Sequence, residues 1–276
     1  MEFKIAAVIL NYKHLSDTIS CYSNLLSCDL GKKVKYFVVD NSPTNETQTL
    51  FQNSYPKVSY IPSKYNTGFA GGNNLAIREI LNGRYSHVLI INPDVTVKKR
   101  FFSPLLKHFT DQKVGIVAPA IVHTQKKKKM FGLEGRVNWS LAKPEHRKIF
   151  TLKTNRPISC EFVTFACVLI SRANFEKVGL LDEGYFMYFE DVDYCLSSKK
   201  QGFKIILDPT VIVKHETSSS FKHPTQKLII NFKSHLRFIS KWLRSFKKIK
   251  PLLYVLFLYP YLYLLWSYHE LKYRHE

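Results

Sequence analysis

Short apolar runs alternating with helix-spaced patterns set what the first 120 residues can become. The runs are Lys4–Leu10, Tyr36–Asp40, Val58–Ile61, His87–Asn92 and Gly115–Ala118. Between the first two, Leu15, Ile19, Tyr22, Leu25 and Leu26 recur on one face at helical spacing. Gly72–Leu81 and Phe101–Phe109 read as further helices. Apolar strands alternating with helices predict an α/β fold with a mostly parallel sheet covered on both faces. At 276 residues the chain is long enough for one large domain of this kind and a small appendage.

Sheets of this class bind ligands beyond the carboxyl ends of their strands. Three runs end in polar side chains: Leu10 precedes Asn11, Val39 precedes Asp40, and Ile91 precedes Asn92 and Asp94. One such residue is ordinarily a turn. Three point to a shared rim.

The second half is less regular. His123–Pro157 is polar and basic, with a charge run at Lys126–Lys129, and reads as a long loop or insertion. An apolar run follows at Phe162–Ile170, then a short helix, Arg172–Val178, and an acidic aromatic segment, Leu181–Tyr194. Lys204–Leu207 and Val211–Val213 read as two strands. Gln226–Lys250 is helical in pattern and carries eight Lys or Arg. Leu252–Tyr268 has no charge and is broken near its middle by Pro260. A spanning helix needs about 20 apolar residues. Tyr and Trp favour the headgroup region, and a basic helix beside them suits an anionic membrane surface. An interfacial anchor, a true span and a packed or oligomeric helix all remain open.

The formal net charge of +20 calls for an anionic partner: nucleic acid, a phosphorylated substrate or acidic lipid. The basic excess gathers in Lys126–Lys129 and the tail, and no nucleic-acid motif is present, so nucleic acid is not the expected partner. Cysteines stand at 21, 28, 160, 167 and 195, without a Cys-x-x-Cys pair. They read as small core residues in a reducing compartment. The short run Ile5–Leu10 leads straight into Asn11-Tyr12-Lys13 and lacks a cleavage site, so a cytoplasmic catalytic domain is expected.

Several segments carry chemistry. Asp40, in Val39-Asp40-Asn41, can accept from a base or ribose. Asn66-Thr67-Gly68-Phe69-Ala70-Gly71-Gly72-Asn73 is a glycine-rich entry to a helix, where backbone N–H groups can approach an anion. Asp94 in Asn92-Pro93-Asp94 is a rigidly held carboxylate suited to a hard divalent ion, and also a common turn sequence. Glu190-Asp191-Val192-Asp193 sits among Tyr185, Phe186, Tyr188 and Phe189, where carboxylate pKa values rise. A helix N-terminus would favour the same acidic residues. His215 follows a strand and is a structural residue or a ligand.

In this order, Asn11, Asp40-Asn41, Asn66-x-Gly68-Phe69-Ala70-Gly71-Gly72-Asn73, Asn92-Pro93-Asp94, Glu190-Asp191-x-Asp193 and His215 resemble glycosyltransferase family 2, nearest its rhamnosyltransferase-like bacterial branch. The resemblance covers about residues 4–220. It implies a GT-A fold over residues 1–222, with 1–120 the nucleotide-sugar-binding half and 158–222 the acceptor and catalytic-base half. Residues 223–276 would then be a membrane-associating helical tail. It further implies that Asn11 and Asp40 hold the nucleoside. Asn66, Gly68, Gly71, Gly72 and Asn73 would shape the donor pocket. Asp94 and His215 would bind Mn²⁺ or Mg²⁺, with one carboxylate where the family commonly has two. Asp191 would be the general base, with Glu190 beside it. The implied reaction is inverting transfer of a sugar, rhamnose among them, from a dTDP or UDP carrier to a lipid-linked or growing cell-surface glycan. Its place is the cytoplasmic face of the cell membrane, peripheral or singly anchored. The alternative is a degenerate relative that binds nucleotide sugar or glycan without turnover.

Overall fold

The computed structural model describes residues 4–125, 128–152, 154–216 and 224–273. In chain order the elements are β1 (Ile5–Asn11), α1 (Leu15–Leu26), β2 (Lys35–Asp40), α2 (Asn45–Ser54), β3 (Ser59–Pro62), α3 (Gly68–Asn82), β4 (His87–Ile91), β5 (Val95–Thr96), α4 (Phe102–Leu106), β6 (Val114–Gln125), β7 (Lys128–Asn138), β8 (Lys143–Ile149), β9 (Ile158–Ser159), β10 (Cys167–Ser171), α5 (Arg172–Val178), α6 (Glu190–Lys200), β11 (Lys204–His215), α7 (Pro224–Trp242) and α8 (Ile249–Tyr273).

The sheet runs β3-β2-β1-β4-β10-β6-β11-β5. Its first four strands are parallel, and β10 lies antiparallel between β4 and β6. Side chains along β1 alternate between two cores. Ala6 and Val8 pack on the α3 side, and Ile5, Ala7 and Ile9 on the α1 side. Each large aliphatic removed from water here stabilises by about 1.5–3 kcal/mol. The register sets Asn11 beside Asp40 at the carboxyl rim. All five cysteines are buried and unpaired, and burial raises their pKa values.

Three expectations need correction. Residues 123–157 are not a long loop: β6 continues to Gln125, and β7 and β8 form an antiparallel ribbon. The β8 residues from Glu145 to Lys148 are exposed, so no apolar alternation marks the strand. The ribbon is held through β7, where Leu133 and Val137 are buried. The charge run Lys126–Lys129 falls partly outside the described residues. Lys204–Leu207 and Val211–Val213 are one strand, β11, with an irregularity between Asp208 and Ile212. Pro209 cannot donate to the ladder there. The carboxylate of Asp208 instead accepts from Thr210 N at 2.9 Å. Pro260 does not end α8.

The boundary expected at residue 222 also lies outside the described residues, and α7 beyond it is firmly docked. Lys241 Nζ donates to Asp193 at 2.7 Å and to Asp182 at 2.9 Å. Arg237 donates to Asp182 at 2.6 Å and Trp242 Nε1 to Asp193 at 2.8 Å. In α8, Val255 and Tyr259 are buried, while Leu253, Leu256, Phe257 and Leu264 are exposed. The stretch Ser245–Ser267 is long and apolar enough to cross a membrane, by length and composition alone.

Candidate active site

A cleft of about 880 Å³ opens at the carboxyl rim of the sheet. Its walls come from the ends of β1 and β4, the start of α3, β8, the segment Phe186–Val192, and helices α7 and α8. Asn66, Gly68, Asp94, Glu190, Asp191 and His215 all face it, although they are scattered over 150 residues of chain.

Asp94 and His215 meet because β5 pairs with the end of β11, His215 opposite Val95. The Asp94 carbonyl accepts from Glu216 N at 3.1 Å, which fixes the turn after Pro93. Asp94 Oδ1 then lies 3.1 Å from His215 Nε2. The His123 ring packs 5.2 Å from the His215 ring, and His123 Nδ1 is 3.2 Å from the His215 carbonyl. A carboxylate oxygen and an imidazole nitrogen converging on a polar cleft suit Mn²⁺ or Mg²⁺, provided phosphate oxygens or water complete the shell. Among the described residues no group of three or more His, Cys, Asp or Glu could hold a metal. At this point the described residues bring together one carboxylate and one imidazole.

The acidic segment enters the cleft on a strained backbone. Tyr188 and Phe189 both have φ of 69° immediately before α6. Bulky residues pay about 1–3 kcal/mol for that region, and such strain gathers at functional sites. It turns Glu190 and Asp191 into the cleft at the first turn of α6, where the helix dipole favours negative charge. Burial raises the Asp191 pKa, and His146 acts against it. Burial, then the charge of Asp191, pushes Glu190 well up. Glu190 Oε2 is buried without a partner among the described residues. Asp193 points elsewhere, into its contacts with Lys241 and Trp242. The acidic run thus splits into two groups facing the cleft and one that anchors α7.

His146 was not legible in the sequence. It lies on β8 opposite Gly135, and its ring meets Phe162 edge-on at 5.0 Å. A Cβ at Gly135 would stand 2.0 Å from the Phe162 ring, so only glycine lets that ring pass. Lys143, Lys227 and His235 also face the cleft.

Of the residues expected to hold the nucleoside or shape the donor pocket, several do not line the cleft. Asn11 and Asp40 sit behind the wall. Asp40 is fully buried and accepts from Asn11 Nδ2 at 2.9 Å, Ser42 N at 2.9 Å and Tyr60 Oη at 2.8 Å. Tyr12 and Asn41, their neighbours, form the wall itself. The glycine loop is not an open cradle. Gly68 N donates to Asn66 Oδ1 at 2.9 Å, and Phe69 N donates to the Phe186 carbonyl at 2.7 Å. Gly72 permits close packing, since a Cβ there would lie 2.5 Å from Leu10. Gly71 and Asn73 lie within α3, Gly71 against Thr67 and Asn73 with its Nδ2 donating to the Phe69 carbonyl. These residues shape the cleft by fixing where α3 starts.

Relatives of known activity share this architecture. A low-salt glycan biosynthesis hexosyltransferase, Agl10, of Haloferax volcanii is 27% identical over 73% of this chain, which spans 63% of that relative's length. An N-acetylglucosaminyl-diphospho-decaprenol L-rhamnosyltransferase of Mycobacterium tuberculosis is 25% identical, with 80% of each chain covered. The dTDP-rhamnosyl transferase RfbF of Shigella flexneri is 23% identical over 78% of this chain and 70% of its own. In structure, GalNAc-T7 with UDP, GalNAc and Mn²⁺ superposes with a TM-score of 0.70 at 14% identity, over 89% of this chain and 49% of that one. A mannosyltransferase of Pyrobaculum calidifontis with GDP-Man and Mn²⁺ gives 0.61 at 15%, over 91% and 68%. The fold is therefore of the GT-A type. The family model described as "Glycosyltransferase like family 2" matches residues 3–231, and the chain belongs to that family.

Proposed function

We propose that this chain transfers a sugar, with inversion, from a nucleotide diphosphate carrier to a hydroxyl of a lipid-linked glycan. One observation carries the reading: Asp191, with a raised pKa, shares a single cleft with the Asp94–His215 pair. Inversion asks for a base on one side of the anomeric carbon and charge stabilisation of the leaving group on the other. Asp191 takes the proton of the acceptor hydroxyl. Glu190, whose pKa is pushed up by burial and by the charge of Asp191, lies beside it in the same turn and shapes its surroundings. Asp94 and His215 hold a divalent ion, which when bound neutralises the departing diphosphate. Tyr12, Asn41 and Asn66 line the nucleoside end, with Asn11 and Asp40 bracing the strand ends behind them.

The name of the Shigella relative supports a dTDP carrier, and the relatives' names support rhamnose or another hexose as the sugar. A lipid-linked acceptor accords with the diphospho-decaprenol named for the mycobacterial relative and with the exposed apolar face of α8 beside Lys247, Lys248 and Lys250. Such a face suits the cytoplasmic surface of an anionic membrane. The test is turnover of a nucleotide-sugar panel by the full chain, with a sugar-diphospho-lipid acceptor and NMR of the product anomer. Transfer with inverted configuration is expected. A retained anomer sinks the mechanism. Binding of donor with neither transfer nor hydrolysis points to the degenerate alternative.

A further inference from the structure

The cleft holds two cations that the chemistry above does not use. Lys143, at the start of β8, and Lys227, in the first turn of α7, both face it and are exposed. Neither forms an ion pair among the described residues. They flank one short segment. Lys227 Nζ lies 6.0 Å from the Tyr188 ring. The Lys143 charge is felt at His235, whose ring packs 5.0 Å from Phe189. Tyr188 and Phe189 lead directly into Glu190 and Asp191, so both cations neighbour the segment that carries the proposed base.

Next to them the lining turns apolar. Ile230 is one turn beyond Lys227 on α7, and Tyr254 and Leu258 are one turn apart on α8. The same helix exposes Leu253, Leu256 and Phe257 on its outer side. Apolar side chains of α8 thus stand both on its outer face and in the wall of the cleft that holds the two lysines and Asp191.

We propose that Lys143 and Lys227, with the strip Ile230–Tyr254–Leu258, form the subsite for the diphosphate and proximal hydrocarbon of a lipid-linked acceptor. This rests on the reading of the cleft as a glycosyl-transfer site and adds how the acceptor is held. Two ammonium groups match a diphosphate in charge, and the apolar strip removes the first part of the chain from water. The acceptor sugar, attached to that diphosphate, is then delivered to Asp191. The arrangement makes α8 the route by which a lipid leaves the bilayer for the cleft.

The test is binding to the full chain in EDTA, which silences the Asp94–His215 pair. The probes are farnesyl diphosphate, farnesol and inorganic diphosphate. Farnesyl diphosphate should bind at least roughly 10-fold more tightly than either of the others, because it alone engages both lysines and strip. Lys143→Gln with Lys227→Gln should weaken it by roughly 10-fold or more, and Lys227→Glu further. Leu258→Ser should narrow the gap between farnesyl and inorganic diphosphate. Lys32→Gln, an exposed charge remote from the cleft, should leave binding as it was. Unaltered binding in the double variant overturns the subsite, and so does displacement of farnesyl diphosphate by UDP in EDTA. Failure of every donor to give transfer would strike the functional reading instead, with these binding results untouched.

Discussion

The two halves of the rim treat their polar groups in opposite ways. At the ends of β1 and β2 they bond to one another: Asp40 is closed by Asn11, Ser42 and Tyr60, and Asn41 Nδ2 donates to the Gly68 carbonyl at 2.9 Å. Around Glu190 and Asp191 several are left without a side-chain partner. Among the described residues Glu190 Oε2 has no partner and Lys143 and Lys227 have no counter-ion, while burial raises the Asp191 pKa. Closed networks make a rigid shape, whereas open groups hold their capacity for a ligand or proton. Variants beside Asp191 should therefore lose rate, and those around Asp40 should lose stability.

The largest effect belongs to Asp191. Asp191→Asn keeps the side-chain shape and removes the base. Transfer should fall by about 10²–10⁴-fold with the melting temperature held or raised. In the parent enzyme, kcat/KM should rise with pH through a value above the usual carboxylate range, since burial raises the Asp191 pKa and only the ionised form accepts the proton. Transfer within a few-fold of the parent would remove Asp191 from the role and leave the strained Tyr188-Phe189 entry without a purpose.

Next comes the pair at the far wall. EDTA should abolish transfer and Mn²⁺ or Mg²⁺ restore it, and His215→Ala should lower transfer by about 100-fold. Excess Mn²⁺ should partly rescue that variant, because Asp94 remains. Full activity in EDTA would reassign Asp94 and His215 to a structural contact between β5 and β11.

Asp40 is the matching probe on the closed side. Asp40→Ala orphans donors on Asn11, Ser42 and Tyr60 and should cost about 2–4 kcal/mol in chemical denaturation. The donor KM of the surviving folded enzyme should change little beside that loss. A large rise in donor KM with stability intact would show that Asp40 reaches the nucleoside, and the comparison would fail on this side.

Much of the first half was legible because its signals are local. The runs ending at Leu10, Val39 and Ile91 became adjacent parallel strands, and the polar residues after them form the rim. The capping box of α2 at Thr44–Thr47 went unread because that helix has a weak apolar face, with Phe51 its only buried residue. The second half was harder, since its signals are relational. The polar β8 could not be seen as a strand from its own residues, so His146 and Lys143 went unnoticed. The pairing of β7 with β6 that recruits them is a long-range fact. Likewise, the basic residues Arg237 and Lys241 read as a membrane-facing charge, yet they bind Asp182 and Asp193 and fasten α7 to the site. Charge composition does not say which lysines already have a partner.

The smallest effect is a contrast of sign between two carboxylates. Asp29 accepts from the backbone of Phe101, Phe102 and Ser103 at the start of α4. Burial works to raise its pKa, but the bonds from Ser103 and the amides of Phe101 and Phe102 outweigh it and the net shift is downward. Its contribution is therefore present above the unfolded carboxylate value and lost as pH falls through the lower folded one. Asp29→Asn should cost about 1 kcal/mol at pH 7, and the gap to the parent should close as acid is approached. Glu190 has the reverse shift, upward, so its contribution is present at low pH and lost as pH rises through the folded value. Glu190→Gln mimics the protonated form. Its melting temperature should match the parent in acid and exceed it increasingly toward pH 8, while transfer declines. Parallel pH trends in the two variants would break the division between a closed half and an open one, because both carboxylates would then be serving stability in the same way.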